Sequence, residues 1–496
     1  MTTWAGGYVS DVEYPGAFYP QQSLPSMALA CLLACVDGRL PGGTEHAHYL
    51  ELGCGNGLNA VLTAASNPGW TVTAVDYNPA HVAHGQALAR DAGVENVQFL
   101  EADLATLADG PHGIAPANVV TMHGVWSWVA PAVRAGIVRL LAAVVAPGGL
   151  AHVSYNALPG WQGALALQRV VREAGLRAGG RSSAQAAAGL EFARALQGAG
   201  APHLSSTMAG HVLKSAADQP PAYLAHEYMN AHWSPCFHAD VARALGDAKL
   251  DWVAPSNPLE LIPQLMLTEA QLALLNQHDD PLMRELVKDT CLPRPFRHDV
   301  FVRGARRVSA DARDAALSGL VLMLSVAPEQ FKYAVATEIG EAELGPEYRD
   351  VVARLAQGPA PVGELAALMP APKPAELCAI LVGSNQAVLV LRPGAGQSPA
   401  AERLNRLLGG RVQSVADADR NGGLASVPLG TALAAGHVTR FIYARLAEGE
   451  DERRLDEWLR RLTDGVPGLD EGKLRELVAG SVAPQRVTLR HAGILA

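Results

Sequence analysis

The chain has 496 residues, 49% of them hydrophobic and only 5% aromatic, and carries a formal net charge of −9. A length of this order suggests roughly two to four domains, and the apolar content is ample for large cores. The acidic balance lacks the basic footprint of a dedicated nucleic-acid binder. The longest apolar runs, such as Leu140 to Val145, are too short to span a membrane.

Taken in order, the N-terminus shows no basic stretch leading into an apolar core, so no signal peptide is expected. The segment Tyr8 to Ser23 gathers four aromatics and two prolines. Disordered tails are poor in aromatics, and this segment reads as an ordered arm (residues 1–45 in all) laid on the domain that follows. Leu24 to Val36 reads as a helix with Pro25 near its start and Pro41-Gly42-Gly43 as its terminator. The six cysteines are scattered. Cys31 and Cys35 read as small buried hydrophobes rather than a metal or redox pair, with no metal site expected, and the whole pattern suits a reducing cytoplasm.

Tyr49 to Leu58 reads as a strand entering a glycine-rich turn that opens a helix, with Gly53, Gly55 and Gly57 at alternate positions. Such a turn aims free N–H groups at a ligand. Strands are expected near 49–52, 71–75, 97–100, 118–122 and 149–155, with helices near 57–66, 79–92 and 132–145. This βαβ order implies a parallel, doubly wound α/β sheet whose site lies at the carboxyl ends of the strands. Three acids sit at strand ends or in the turn: Glu51, Asp76 and Asp103. A carboxylate ending the second strand suits a ribose diol, which leaves an NAD or FAD fold open as an alternative.

Further on, His238 to Leu250 reads as the fifth helix, Leu250 to Ala254 as strand six and Asp299 to Arg303 as strand seven. The expected α/β domain is then 1–306, with insertions at 158–236 and 257–297. The Ala/Gly/Ser-rich stretch from Arg177 to Ala201 reads as short helices rather than a floppy linker. Residues 307–496 form an expected mainly helical regulatory or interaction domain. In it Tyr348–Leu355, Val362–Leu368 and Pro374–Leu381 are helical candidates, followed by a strand at Ala387–Arg392, an arrangement that resembles a winged helix. Pro393 to Ala401 reads as a linker, and Asp451 to Leu462 as a solvated helix.

The short glycine spacing with Glu51, Asp76 and Asp103 resembles the class I S-adenosylmethionine (AdoMet)-dependent methyltransferases. That resemblance implies a seven-stranded sheet with AdoMet as cofactor. It implies a cofactor set of Glu51, Gly53, Cys54, Gly55, Gly57, Asp76, Tyr77, Ala102, Asp103, Leu104 and His123. Asp76 would hold the ribose and Asp103 the adenine amino group.

Aromatic motifs follow strands four and five and end the first insertion: Met122 to Val129, Val153 to Trp161, and Tyr223 to Asn230 with Trp233. Together with Tyr14-Pro15 and Phe296 to Gly304 they resemble the bacterial methyltransferases carrying a methyltransferase regulatory domain. That family includes the rickettsial lysine methyltransferases of outer-membrane proteins, and it has a tyrosine where this chain has Trp126.

The resemblance implies methyl transfer to lysine on a protein substrate. Trp126, Trp128, Tyr155 and Tyr228 would wall an apolar acceptor channel, which lowers an amine's pKa by desolvation and offers aromatic faces to positive charge. His123 would take the proton and Asn156 would orient the amine. Each aromatic also has a plain packing reading, and His226 and Glu227 read as a pair internal to their helix. Two other functions stay open: methylation of a small molecule, and a silent AdoMet-binding sensor acting through its C-terminal domain.

Overall fold

The computed structural model describes residues 6–14, 16–40, 43–410, 422–450, 454–463 and 471–495. Helix α1 (Leu24–Leu33) is capped by the Ser23 hydroxyl. It ends three residues before the expected Val36, because Cys35 turns into the left-handed region (φ 56°) and Val36 bridges to Arg307. Of the expected terminator, residues 41 and 42 lie outside the described residues, as does Pro15 of the arm.

Then follow β1 (His48–Leu52), α2 (Leu58–Ser66), β2 (Thr71–Asp76), α3 (Pro79–Ala92), β3 (Val97–Glu101), β4 (Ala117–Met122), α4 (Pro131–Val144) and β5 (Val145–Leu158). The last starts earlier than expected. Its Pro147-Gly148-Gly149 stretch is absorbed into the strand where the pairing with β4 shifts register.

The first insertion folds as α5 (Leu165–Ala178), α6 (Ser182–Gly198), α7 (Thr207–Ser215) and α8 (Pro221–Met229). The Ala/Gly-rich stretch is thus largely helix. Small residues let α5 and α6 touch: a Cβ at Gly189 would sit 2.1 Å from the Val171 carbonyl oxygen. After β6 (Cys236–Phe237), α9 (His238–Gly246) and β7 (Leu250–Pro255), the second insertion contributes α10 (Glu269–Leu275) and α11 (Pro281–Cys291) before β8 (Phe296–Arg303).

The main sheet runs β3-β2-β1-β4-β5-β8-β7, parallel except for β8, which is antiparallel to both its neighbours. A parallel sheet buries both faces, and here two cores form. Tyr49, Val72 and Val119 face α1, α2 and α3, while Leu50, Leu52, Val120 and Val153 face α4 and α9. That period-2 alternation decides which side chains reach the site.

The chain continues through α12 (Ala310–Ser318), β9 (Val321–Leu324), the hairpin β10 (Ala334–Thr337) and β11 (Gly340–Glu343), α13 (Tyr348–Leu355), β12 (Ala360–Pro361), α14 (Val362–Ala366), α15 (Pro374–Gly383) and β13 (Ala387–Val390). Strands β12-β9-β13 form a small antiparallel sheet over this helical group. After α16 (Pro399–Gly410) come β14 (Gly423–Ser426), β15 (Thr431–Ala434), α17 (His437–Ala447), α18 (Leu455–Thr463) and α19 (Glu471–His491).

The expected linker up to Ala401 gives way to α16 at Pro399. Residues 451–453 lie outside the described residues, and α18 is not wholly solvated, since Trp458 is buried against Ile442 and Val478. Ala401, Leu404 and Leu408 of α16, with Ala425 and Ala432 of the hairpin, join the core beneath α2 and α3. Polar contacts pin the same seam: Asn67 Nδ2 donates to the Gly430 carbonyl (3.0 Å) and Arg403 Nε to that of Ala92 (3.1 Å). No described helix is long and apolar enough to cross a membrane.

Candidate active site

A cavity of about 740 Å³ opens at the carboxyl ends of the strands. Its first half is built by the β1 turn. Gly53 and Cys54 donate their N–H groups to the Val75 carbonyl (2.8 and 3.0 Å), which ties the turn to the end of β2. Gly53 needs its positive φ of 71°, and a Cβ there would meet Val125 Cγ2 at 2.5 Å. Asp76 accepts from Gly55 N (2.8 Å) on one oxygen and from Asn78 N (2.8 Å) on the other, with His81 Nδ1 at 3.2 Å. A carboxylate offers about four acceptor sites, so Asp76 keeps capacity toward the cavity. Asp103 accepts from Ala105 N (2.8 Å). Glu51, Gly53, Cys54, Gly55, Asp76, Tyr77, Asp103, Leu104 and His123 all line this cavity.

Glu51 is buried. Asn59 Nδ2 donates to its Oε1 (3.2 Å), while Oε2 has no partner, and burial pushes its pKa up to about 8. Beside it lies Gln22, at the end of the arm, whose Oε1 receives the same Asn59 amide (3.5 Å) and whose Nε2 has no partner. A buried acceptor and a buried donor, both unmet, thus flank Asn59. Gln22 does not stand out in the sequence. Its place in the aromatic arm is the one hint of a role.

The second half is aromatic. The arm crosses the opening, its Gly7 carbonyl receiving Ala231 N (3.0 Å), its Asp11 carboxylate receiving the Ser182 hydroxyl (2.6 Å) and Tyr8 Oη receiving Ala130 N (3.3 Å). Tyr19 stacks on His123 with ring centroids 3.5 Å apart, and Tyr14 packs edge-on against His226 at 5.1 Å. Trp128, Asn156, Trp161, Tyr223, Glu227 and Phe296 complete this half. His123 Nδ1 lies 3.0 Å from Ser154 Oγ, which accepts Gly124 N (2.9 Å). Burial, reinforced by His298 and His152, holds the His123 pKa well below the usual histidine range. The buried ring is thus held in its neutral form. Asn156 lines the cavity with its Oδ1 already receiving the Ser127 hydroxyl (2.9 Å).

Five expected site residues do not reach the cavity. On β5, Asn156 faces it, so Tyr155 must face the other way. Its hydroxyl donates to Asp299 Oδ2 (2.6 Å), which also receives Arg297 Nε (2.9 Å). Arg297 bonds Asp289 (2.6 Å) and Glu285 (2.9 Å) of α11, so Tyr155 belongs to a buried ionic clip between β8 and the second insertion. Trp126 and Trp128 sit two apart on one 3₁₀ turn and diverge. Trp128 enters the cavity, whereas Trp126 is buried under α4 near Arg134 (5.9 Å).

Tyr228 turns into the core of the first insertion, with Leu190 and Leu213. Ala102 donates its N–H to the Asp76 carbonyl (3.0 Å) and packs on the α4 side. Gly57 (φ 82°) caps α2, where a Cβ would strike Phe99 at 2.5 Å, so its role is helix packing. His226, read as paired within its helix, instead places Nε2 3.1 Å from the Val12 carbonyl of the arm.

A methyltransferase domain model matches residues 50–149, and the family described as a predicted methyltransferase regulatory domain matches residues 220–303. The latter covers α8 through β8, not the region beyond 307 in which a regulatory role is expected from the sequence. An uncharacterized protein of Synechocystis sp. is 28% identical over 491 residues, covering 96% of this chain and 94% of that protein. An uncharacterized Rickettsia prowazekii protein is 32% identical over 136 residues, 27% of this chain and 52% of that one. Among solved structures, PKMT2 from Rickettsia typhi in complex with AdoHcy aligns with a TM-score of 0.70 and 16% identity over 97% of this chain and 99% of that one. A second structure of PKMT2 from Rickettsia typhi aligns at 0.63, with 15% identity over 96% and 99%. At such identities the likeness is one of fold.

Proposed function

We propose that this chain, an AdoMet-dependent methyltransferase that carries a methyltransferase regulatory domain, methylates lysine side chains of a protein substrate. The observation that carries the reading is the second half of the cavity. It continues beyond the cofactor half between Tyr14, Tyr19, Trp128, Trp161 and Phe296, it holds the carboxylate of Glu227, and no lysine or arginine is among its described lining residues. An apolar, aromatic, cation-seeking channel is what a lysine side chain needs: the stem is desolvated and the nitrogen meets π faces.

The residues fit the cofactor. Glu51 Oε2 would receive its ammonium and Gln22 Nε2 would donate to its carboxylate, which would satisfy the two buried atoms that lack partners. Asp76 would take the ribose hydroxyls at the end of β2, and Asp103 with Leu104 would border the adenine. When bound, AdoMet supplies a methyl group activated by a sulfonium. The protein's share is mainly positioning and exclusion of water. The insertions, which follow β5 and β7 at the cavity, would gate it.

The likeness of this chain to PKMT2 over nearly the full length of both proteins supports the lysine reading. A silent sensor is disfavoured by the space left beyond the cofactor half. The test is mass spectrometry of a protein extract incubated with the enzyme and AdoMet bearing a deuterated methyl group. Labelled lysines support the proposal. Label confined to small molecules would transfer the enzyme to the natural-product class.

A further inference from the structure

Resting on the reading of the chain as a lysine methyltransferase, we infer that Glu227 is the proton acceptor for the incoming substrate ammonium, with Tyr223 positioning its carboxylate. Helix α8 gives the geometry. Residues four apart share a helix face, and Tyr223 and Glu227 both line the cavity, while Leu224 and Tyr228 lie on the next face, in the core of the first insertion. The other acids lining the cavity are Glu51, Asp76 and Asp103, all on or after β1, β2 and β3 at the cofactor end. Glu227 differs from them in coming from a helix outside the sheet.

The groups facing Glu227 are phenols. Tyr223 lies one turn before it on α8, Tyr228 is its chain neighbour with Arg194 of α6 acting on that ring, and Tyr14 and Tyr19 reach it from the arm. All four tyrosines have pKa values raised above the ordinary, chiefly by burial and, for Tyr223, by Glu227 itself, so they stay neutral donors. Burial pushes the Glu227 carboxyl up to about 7. A base poised near the working pH serves proton transfer best. Neither neighbouring histidine competes: His123 resists protonation, and His226 has its Nε2 against the arm and a pKa lowered to about 4 by burial.

The step balances. A lysine side chain arrives as an ammonium, with an ordinary pKa of about 10.4. One N–H bond breaks, an O–H bond forms on Glu227, and the nitrogen keeps the electron pair. The N–C bond to the methyl group then forms as the S–C bond of the cofactor breaks, its electrons leaving on sulfur. The proton on Glu227 departs to solvent with the product.

The experiment compares full-length wild type, E227Q and E227D. Methyl transfer from tritiated AdoMet to a protein extract is followed from pH 5 to 10, alongside the same extract with its amines acetylated beforehand. The wild-type rate should rise through about pH 7. E227Q should lose about 100-fold in kcat at pH 7, keep its AdoMet affinity and recover toward pH 10, where solvent deprotonates the amine. E227D should fall between the two.

An E227Q protein with the wild-type kcat and pH profile would overturn the inference while leaving lysine methylation standing. Equal labelling of the acetylated extract would overturn the lysine reading and the inference with it. An acceptor-free readout runs in parallel: the infrared carboxyl band present in AdoHcy-loaded wild type and missing in E227Q. Its disappearance near pH 7 supports the inference, and a carboxylate already ionised at pH 5 contradicts it.

Discussion

The two halves of the cavity are made from different kinds of chain. The cofactor half hangs on the tips of three adjacent parallel strands, where the backbone ladder fixes each acid: β1 pairs β2 through Leu52 and Val75, and β2 pairs β3 through Asp76 and Glu101. The acceptor half is assembled from the arm, a 3₁₀ turn, the tip of β8 and one face of α8, brought together from the N-terminus to residue 296. Sheet register places a side chain with little freedom. In the second half the phase of a turn or a helix decides whether a side chain meets the substrate or the core.

The largest expected effects separate packing from binding within single motifs. Trp126→Ala should cost about 3–5 kcal/mol of stability, as a buried ring is removed. Trp128→Ala should leave the unfolding free energy within about 1 kcal/mol and lower kcat instead. Denaturant titration beside steady-state kinetics distinguishes them, and equal destabilisation by both would place the two rings in one core. Gly57→Val and Gly55→Val make the same contrast in the cofactor half. At Gly57 the added atoms collide with Phe99 and the Gly85 backbone, for a loss of about 2–5 kcal/mol from overpacking and left-handed strain together. At Gly55 (φ 54°) nothing lies within 4 Å, so the fold should survive at a cost of about 1–2 kcal/mol. Cofactor binding should not survive there.

A smaller loss is expected from Asp76→Ala, which removes a charged hydrogen-bond acceptor. AdoMet affinity should fall by about 1.5–3 kcal/mol, and calorimetry giving an unchanged Kd would remove Asp76 from the site.

How much of the site is legible in the sequence follows from the same contrast. Glu51, Asp76 and Asp103 announce themselves because a strand, a turn and an acid occur in contiguous sequence. The strand order can be read as far as β8, whose return is written in Asp299 to Arg303. Tyr155 and Asn156 both read as site residues, although adjacent strand residues face opposite ways. Asn156 lines the cavity, and Tyr155 instead completes the Arg297 and Asp299 clip. On α8 the residue type favours Tyr228 over Glu227, since tyrosine suits an acceptor wall, yet only helix phase can choose between them. Gln22 carries no composition signal, and its importance appears only when Asn59 brings it beside Glu51.

Titration sharpens the cofactor half. The folded protein holds a proton on Glu51 up to about pH 8, whereas a free glutamate releases it near 4.5. Between those values the native state binds more protons than the unfolded one, so stability without ligand should fall as pH rises through that window. Glu227 adds the same sign up to about pH 7. Glu51→Gln should flatten the upper part of the slope and raise the melting temperature at pH 8. A steeper slope in the variant would contradict the assignment. The smallest effect belongs to Tyr228→Phe, which removes a hydroxyl from a packed ring. Stability should change by no more than about 0.5 kcal/mol, with kcat unchanged.

The division of the cavity into a cofactor half and an acceptor half is tested most directly by titration calorimetry of AdoMet into wild type, Glu51→Gln and Glu227→Gln at pH 8. Glu51→Gln should weaken binding about tenfold or more, by loss of the buried partner for the ammonium, while Glu227→Gln should bind within about twofold of wild type because its carboxyl belongs to the acceptor side. Wild-type affinity in Glu51→Gln, or an equal loss in both variants, would contradict that division.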